Sequence, residues 1–190
     1  MNNPLEILLN EDIQNFINTN LDSDTNQLAL QKNNFDIDYI LIINQIVAKQ
    51  KAKFKLPTWF ATAKILYPSK VSIEQTSSEK TAAYKASLIS GESLIDLSGG
   101  FGVDDFYFSK VFTEVIHCEI NPDLSQIVSH NFKQLQIENC TCHIGERGSI
   151  LEKLDRRFSW IYVDPSRRND AKGKVFLLED CLPNLPEHLP

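Results

Sequence analysis

Asp96-Leu97-Ser98-Gly99-Gly100-Phe101-Gly102-Val103-Asp104 decides how the rest of this chain is read. A short apolar run, Ser93-Leu94-Ile95, leads into it, and Asp105-Phe106-Tyr107-Phe108-Ser109-Lys110 follows as a helix-forming segment. Strand, glycine turn, helix is the order in which an open parallel sheet meets a nucleotide-like ligand. Glycine suits the turn because the backbone there needs positive φ or must let a ligand approach closely. Asp96, at the strand's end, narrows the ligand. A carboxylate repels a pyrophosphate but suits a ligand carrying an amino group and a sulfonium.

A dinucleotide fingerprint, G-x-G-x-x-G, would place a third glycine where this chain has Asp105. Asp104 and Asp105 would also compete with a phosphate for the helix N-terminus. The dinucleotide reading is therefore disfavoured, while a purely structural strand-to-helix turn stays open. Glu114-Val115-Ile116-His117-Cys118-Glu119 reads as the next strand, and Glu119 stands 17 positions after Gly102. An acid at about that distance accepts hydrogen bonds from ribose hydroxyls in doubly wound folds; a capping or solvated acid is the alternative. Pro122 fits a helix's first turn, and Leu124, Ile127, Val128, Phe132 and Leu135 keep a helical period over Asp123 to Ile137.

Cys140-Thr141-Cys142-His143-Ile144 predicts a third strand ending at Gly145-Glu146, and Phe158-Ser159-Trp160-Ile161-Tyr162-Val163 a fourth ending at Asp164-Pro165-Ser166-Arg167-Arg168. A short helix, Ser149 to Leu154, lies between them. This alternation predicts an α/β, Rossmann-like parallel sheet of about four strands with its chemistry at the strands' carboxyl ends. All four ends carry an acid: Asp96, Glu119, Glu146 and Asp164. Glu146 is placed to accept from an adenine amino group, or to be a surface acid.

Asp96…Gly100-x-Gly102, Glu119, Glu146 and Asp164-Pro165, in that order, resemble a class I S-adenosylmethionine (SAM)-dependent methyltransferase. Together with Glu74-Gln75-Thr76-Ser77-Ser78-Glu79-Lys80-Thr81-Ala82-Ala83-Tyr84-Lys85-Ala86 and Asp164-Pro165-Ser166-Arg167-Arg168, the glycine turn resembles, more narrowly, a bacterial family assigned as RNA methyltransferases. Its members join a small N-terminal region, the methyltransferase domain and a C-terminal THUMP-like domain; the likeness covers roughly residues 55 to 185. The resemblance implies SAM as cofactor and RNA as acceptor. It implies that Ser98, Gly99, Gly100 and Gly102 hold the methionine part, with Asp96 near its amino group. Glu119 would take the ribose and Glu146 the adenine. Asp164 and Pro165 would act as the catalytic pair shaping the acceptor's mouth, and Arg167 and Arg168 would hold its phosphate. The turn at Gln75 to Ser78 would lie over the cofactor.

A class I sheet has seven strands, and this chain ends at Pro190, shortly after the fourth. The expectation is an N-terminal fragment with an apolar sheet edge, with a non-catalytic SAM- or nucleotide-binding or interaction fragment as the alternative function. Residues 1–68 read as a helical region and 69–190 as an incomplete methyltransferase domain. Ile7, Leu8, Ile13, Phe16 and Ile17 form one helical stretch; Asp36, Tyr39, Ile40, Ile43, Ile46 and Val47 form a second, with a polar turn over Asn20 to Asn26. Lys49, Lys51, Lys53 and Lys55, interleaved with Phe54 and Trp59, either touch a nucleic-acid backbone or complement a helix C-terminus. Thr76 and Glu79 have capping-box spacing, predicting a helix from Ser77 to about Ile89 with Gly91 as its stop. Lys80 and Lys85 read as surface charges.

Nineteen Lys and Arg against 25 Asp and Glu give a net charge of −6, so global charge does not draw nucleic acid. An RNA contact needs a local patch such as Arg156, Arg157, Arg167 and Arg168. No apolar run reaches the length of a membrane span, and Met1-Asn2-Asn3-Pro4 lacks a signal peptide's basic start. A cytoplasmic protein is expected, with no membrane partner. Cys118, Cys140, Cys142 and Cys181 lack paired-ligand spacing, so they read as buried reduced thiols and no metal is expected. Oligomeric state is not legible.

Overall fold

The computed structural model describes residues 4–164 and two short antiparallel strands, Arg168–Asn169 and Gly173–Lys174. Four strands, β1 (Gly91–Asp96), β2 (Phe112–Glu119), β3 (Cys140–Ile144) and β4 (Trp160–Tyr162), form one sheet in the order β3-β2-β1-β4. Every pairing is parallel: Asp96 stands opposite His117 on one side and Tyr162 on the other, and Glu119 opposite Ile144. The carboxyl ends therefore come together, as the alternation of strands and helices predicts.

The two central strands are buried on both faces, which explains their nearly continuous apolar runs. On one face Leu94 and Val115 pack with Phe108, Phe112 and Ala86. On the other, Ile95, Ile116 and Cys118 pack with Ile150. The outer strands are less covered, and Ile144 and Ile161 are each more than half exposed.

Helices α7 (Glu79–Ser87), α8 (Val103–Phe108), α9 (Pro122–Gln134) and α10 (Arg147–Leu154) belong to the sheet. Asn121 caps α9 through the backbone of Asp123 and Leu124, with Pro122 behind it as the spacing predicts. Ile127, Val128 and Phe132 are the buried side of its apolar stripe.

The helical N-terminal stretch is cut more finely than expected. It holds α1 (Pro4–Leu8), α2 (Glu11–Thr19), α3 (Thr25–Ala29), α4 (Tyr39–Lys55), α5 (Pro57–Ala61) and α6 (Lys70–Gln75). Asn10, Asp24, Asp38 and Ser69 cap four of these through side-chain acceptors. Ile13, Ile17, Ile42, Ile46 and Trp59 share one apolar cluster with Phe101, Val103, Phe106, Val128 and Phe132.

Two local expectations are corrected. Thr76 does not open α7: its N–H closes α6 onto Ser72, and Ser78 becomes the cap by accepting from Thr81. Glu79 does not reach back as a capping-box partner. Its buried carboxylate accepts from Thr58 N (2.6 Å), Thr58 Oγ1 (2.7 Å) and Tyr107 OH (2.9 Å). Gly91 is not a helix stop either. Helix α7 ends four residues earlier, and Gly91 opens β1.

Candidate active site

The end of β1 turns sharply at Ser98. Both its N–H and its Oγ donate to Asp96 Oδ1, each at 2.6 Å. The same Oγ accepts the Asp164 N–H at 2.8 Å, so one serine ties the end of β1 to the end of β4. Gly99 is needed for packing: a Cβ there would meet the Cys118 carbonyl oxygen at 2.6 Å and the His117 ring closer still. A Cβ on Gly102 would strike Phe132 and Val128 of α9.

Gly100 differs from both. Its φ is +59°, and a Cβ would meet only the Ser98 carbonyl, at 3.6 Å. Here the bare backbone faces open space. The Gly100 N–H donates to Glu119 Oε2 at 3.0 Å, and Glu119 Oε1 accepts from Asn121 N at 2.8 Å. Glu119 thus stands at the turn with both oxygens oriented and its side chain partly exposed.

Asp96, expected near a ligand's amino group directly or through water, is the last residue of β1. It is 2% exposed and lies in a buried cluster with Asp105 and His117, whose Asp105 Oδ2 and His117 Nδ1 are 2.6 Å apart. Burial raises the Asp96 carboxyl well above the ordinary range, and the neighbouring Asp105 adds to the shift. Its chemistry is to hold the turn through Ser98.

Glu146 caps α10, accepting from Ser149 N at 3.0 Å. Gly145 N donates to the Glu119 carbonyl at 3.1 Å, which keeps Glu146 beside the carboxyl ends of β2 and β3. Asp164, exposed at the end of β4, completes the group. Pro165, Arg167 and Cys181 lie outside the described residues, as does the side chain of Arg168.

The basic stretch at the end of α4 is occupied within the chain. Lys49 donates to Asn18, Lys51 pairs with Glu74, Lys53 lies 3.8 Å from Asp22, and Lys55 donates to the carbonyls of Ile73 and Glu74. Trp59 is fully buried. Within the chain these four lysines thus have partners, while Phe54 is exposed. Arg156, of the expected arginine patch, pairs with Glu114 at 2.7 Å, near the start of β2.

Lys85 is the residue that local sequence reading missed. It is not a plain surface charge; its side chain is 26% exposed and its Nζ is bonded to Tyr162 and Asp104 and paired with Asp164. Burial pushes the Cys140 thiol up and the Cys142 thiol up to about 12, so neither is a ready nucleophile. Among the described residues no three His, Cys, Asp or Glu side chains cluster to hold a metal, and no helix is long and apolar enough to cross a membrane.

No protein-family model matches the chain, and no curated protein matches it in sequence. Solved structures do. A candidate methyltransferase from Porphyromonas gingivalis W83 is 28% identical over 95% of this chain, with a TM-score of 0.75. The match takes in 44% of that protein, so this chain spans less than half its length. A candidate RNA methyltransferase from Pyrococcus horikoshii is 16% identical over 62% of this chain and 58% of its own, with a TM-score of 0.39. An O-methyltransferase from Bacillus cereus in complex with SAH is 14% identical over 80% of this chain and 64% of its own, with a TM-score of 0.43. The sheet and its helices thus form an α/β, Rossmann-like methyltransferase fold.

Proposed function

We propose that this chain is the cofactor-binding part of a SAM-dependent methyltransferase acting on RNA. The observation that carries the reading is the pairing of Gly100 with Glu119. A bare backbone with open space above it stands beside an oriented carboxylate, 3.0 Å away, at the adjoining strand end. A nucleoside whose ribose hydroxyls donate to Glu119 would lie against Gly100, in the crevice where open α/β sheets bind ligands. The donor set fits the cofactor: the acids Asp96 and Glu119 stand at the turn, while the nearby Lys85 is held by Asp104 at 2.9 Å.

Ser98, Gly99, Gly100 and Gly102 form the wall against the methionine part. Asp96 acts on that wall through Ser98 rather than by touching the cofactor. Glu119 orients the ribose, and Glu146, beside the end of β3, takes the adenine edge. Bound there, SAM supplies a methyl group on a sulfonium, which leaves readily, so the protein's part is to align the acceptor. Asp164 and Pro165 shape the acceptor's mouth, and Arg167 and Arg168 hold its phosphate. RNA is favoured over a small acceptor by the resemblance of the Asp164-Pro165-Ser166-Arg167-Arg168 run and the glycine turn to the RNA-directed family.

Calorimetric titration of the intact protein with SAM tests the assignment. Binding is expected, weakened about tenfold or more in Glu119→Ala, which loses hydrogen bonds to a charged group. Absent binding, or equal affinity in the variant, would sink it.

A further inference from the structure

We propose that Lys85 is a positioning residue for methyl transfer, its ammonium pinning Tyr162 and Asp164, the acceptor-facing end of β4, to the cofactor turn. The inference rests on the reading of Asp164 as the acceptor's mouth. Lys85 lies on α7, outside every strand end, yet its Nζ reaches Tyr162 OH (2.6 Å), Asp104 Oδ2 (2.9 Å), Ser77 Oγ (3.0 Å) and Asp164 Oδ2 (3.2 Å). An ammonium has three protons. Four acceptors share them, so Lys85 ties three segments to α7 at once, the turn before α7, α8 and the end of β4, rather than forming one surface pair.

The hydrogens around it run in a consistent direction. Ser77 Oγ donates to Asp104 Oδ2 at 3.0 Å, and the Tyr162 phenol, accepting from Lys85, donates to the same oxygen at 3.2 Å. Burial raises the phenol's pKa, and the carboxylates of Asp104, Asp164 and Asp96 raise it further, so Tyr162 stays a neutral donor and is no general base. Burial pulls the Lys85 ammonium down, but the hydrogen bond and charge of Asp104, and then of Asp164, outweigh it and the net shift is upward. The ammonium therefore stays charged.

On its other side Asp164 is fixed by its backbone, whose N–H donates to Ser98 Oγ, the atom that also donates to Asp96. Asp164 is thus held twice: by Ser98 from the cofactor turn and by Lys85 from α7. Two tethers on one exposed residue set where an acceptor stands relative to the methyl group, and displacements of about 1 Å can cost a hundredfold in rate.

Replacing Lys85 alone leaves the partly buried Asp104 carboxylate without a cation, which can unfold a protein for reasons unrelated to alignment. The test therefore uses Lys85→Met/Asp104→Asn, which removes both charges, with Lys85→Arg as the conservative rescue. In the intact protein, three quantities are measured: SAM affinity by calorimetry, single-turnover transfer of tritiated methyl from SAM to unmodified RNA, and amide hydrogen exchange at Asp164. The double variant is expected to keep wild-type SAM affinity, to lose about tenfold or more in transfer rate, and to exchange the Asp164 amide about tenfold faster. Lys85→Arg should recover exchange protection and most of the rate. Unchanged Asp164 protection in the double variant would overturn the proposal. So would a fall in SAM affinity that accounts for the whole loss of rate. If the wild type binds no SAM, the functional reading fails, while Asp164 exchange still decides whether Lys85 pins the strand.

Discussion

Beneath the glycine turn, Asp96, Asp105 and His117 sit almost without contact with water. Among the described residues, Asp105 Oδ1 and His117 Nε2 find no hydrogen-bond partner. Desolvation raises both carboxyls well above their ordinary values and lowers the imidazole. Their linkage to folding has opposite signs. A carboxyl whose pKa is raised in the folded state contributes its full stability below the unfolded value and loses it as pH rises through the folded one. A lowered imidazole contributes fully above its unfolded value and loses stability as pH falls. Asp105→Asn removes one raised carboxyl but keeps an amide oxygen for the His117 ring. Its stability should therefore rise relative to wild type as the pH is taken from about 4 to about 7. Urea midpoints across that range measure it. Parallel curves would mean that Asp105 ionises much as it does in the unfolded chain.

At the scale of elements, two buried amide side chains join the N-terminal helices to the sheet. Asn131 on α9 accepts from Leu66 N at 2.9 Å and donates to Leu66 O at 2.8 Å. Gln45 on α4 does the same for Tyr67, at 2.8 and 2.7 Å. Each replaces a strand neighbour for an extended segment that belongs to no sheet. Asn131→Leu suits the surrounding apolar helix face but strands a buried N–H and carbonyl, so it should destabilise by about 3 kcal/mol. Urea unfolding would show this, and a change within the scatter of ordinary surface substitutions would refute the role. These links also mark the limit of the sequence reading. The strands, the glycine turn and the α9 stripe were legible because alternation, helical period and turn chemistry are local. Asn131 meets a residue 65 positions away, and Lys85 meets partners 77 and 79 positions away. Nothing in their flanking residues signals that. The capping box at Thr76 failed for a related reason: Thr58 and Tyr107, distant in sequence, took the Glu79 carboxylate, and α6 claimed Thr76.

Across the whole molecule, residues 1–68 read as a helical region and 69–190 as the sheet region, and one apolar cluster takes residues from both. Trp59 lies 4.9 Å from the Phe106 ring and 6.3 Å from that of Phe101, while Tyr67 lies 6.2 Å from Phe101. The ring of Phe101 belongs to the glycine turn itself, so the helices brace the segment proposed to hold the cofactor. Separating the two regions would expose Trp59, Phe101 and Phe106 together. Each large aromatic is worth about 1.5–3 kcal/mol when fully buried, a large share of a small protein's net stability. Neither region should then open without the other. Native-state hydrogen exchange can examine this directly, because amides that exchange only through global unfolding share one opening free energy. Ile46, in the middle of α4, and Val115, in β2, are both fully buried. Their amides should report opening free energies within about 1 kcal/mol of each other and shift together with urea. If Ile46 opened several kcal/mol more easily than Val115, the helices would be a separate unit, and their bracing of Phe101 would not fix the geometry of the turn.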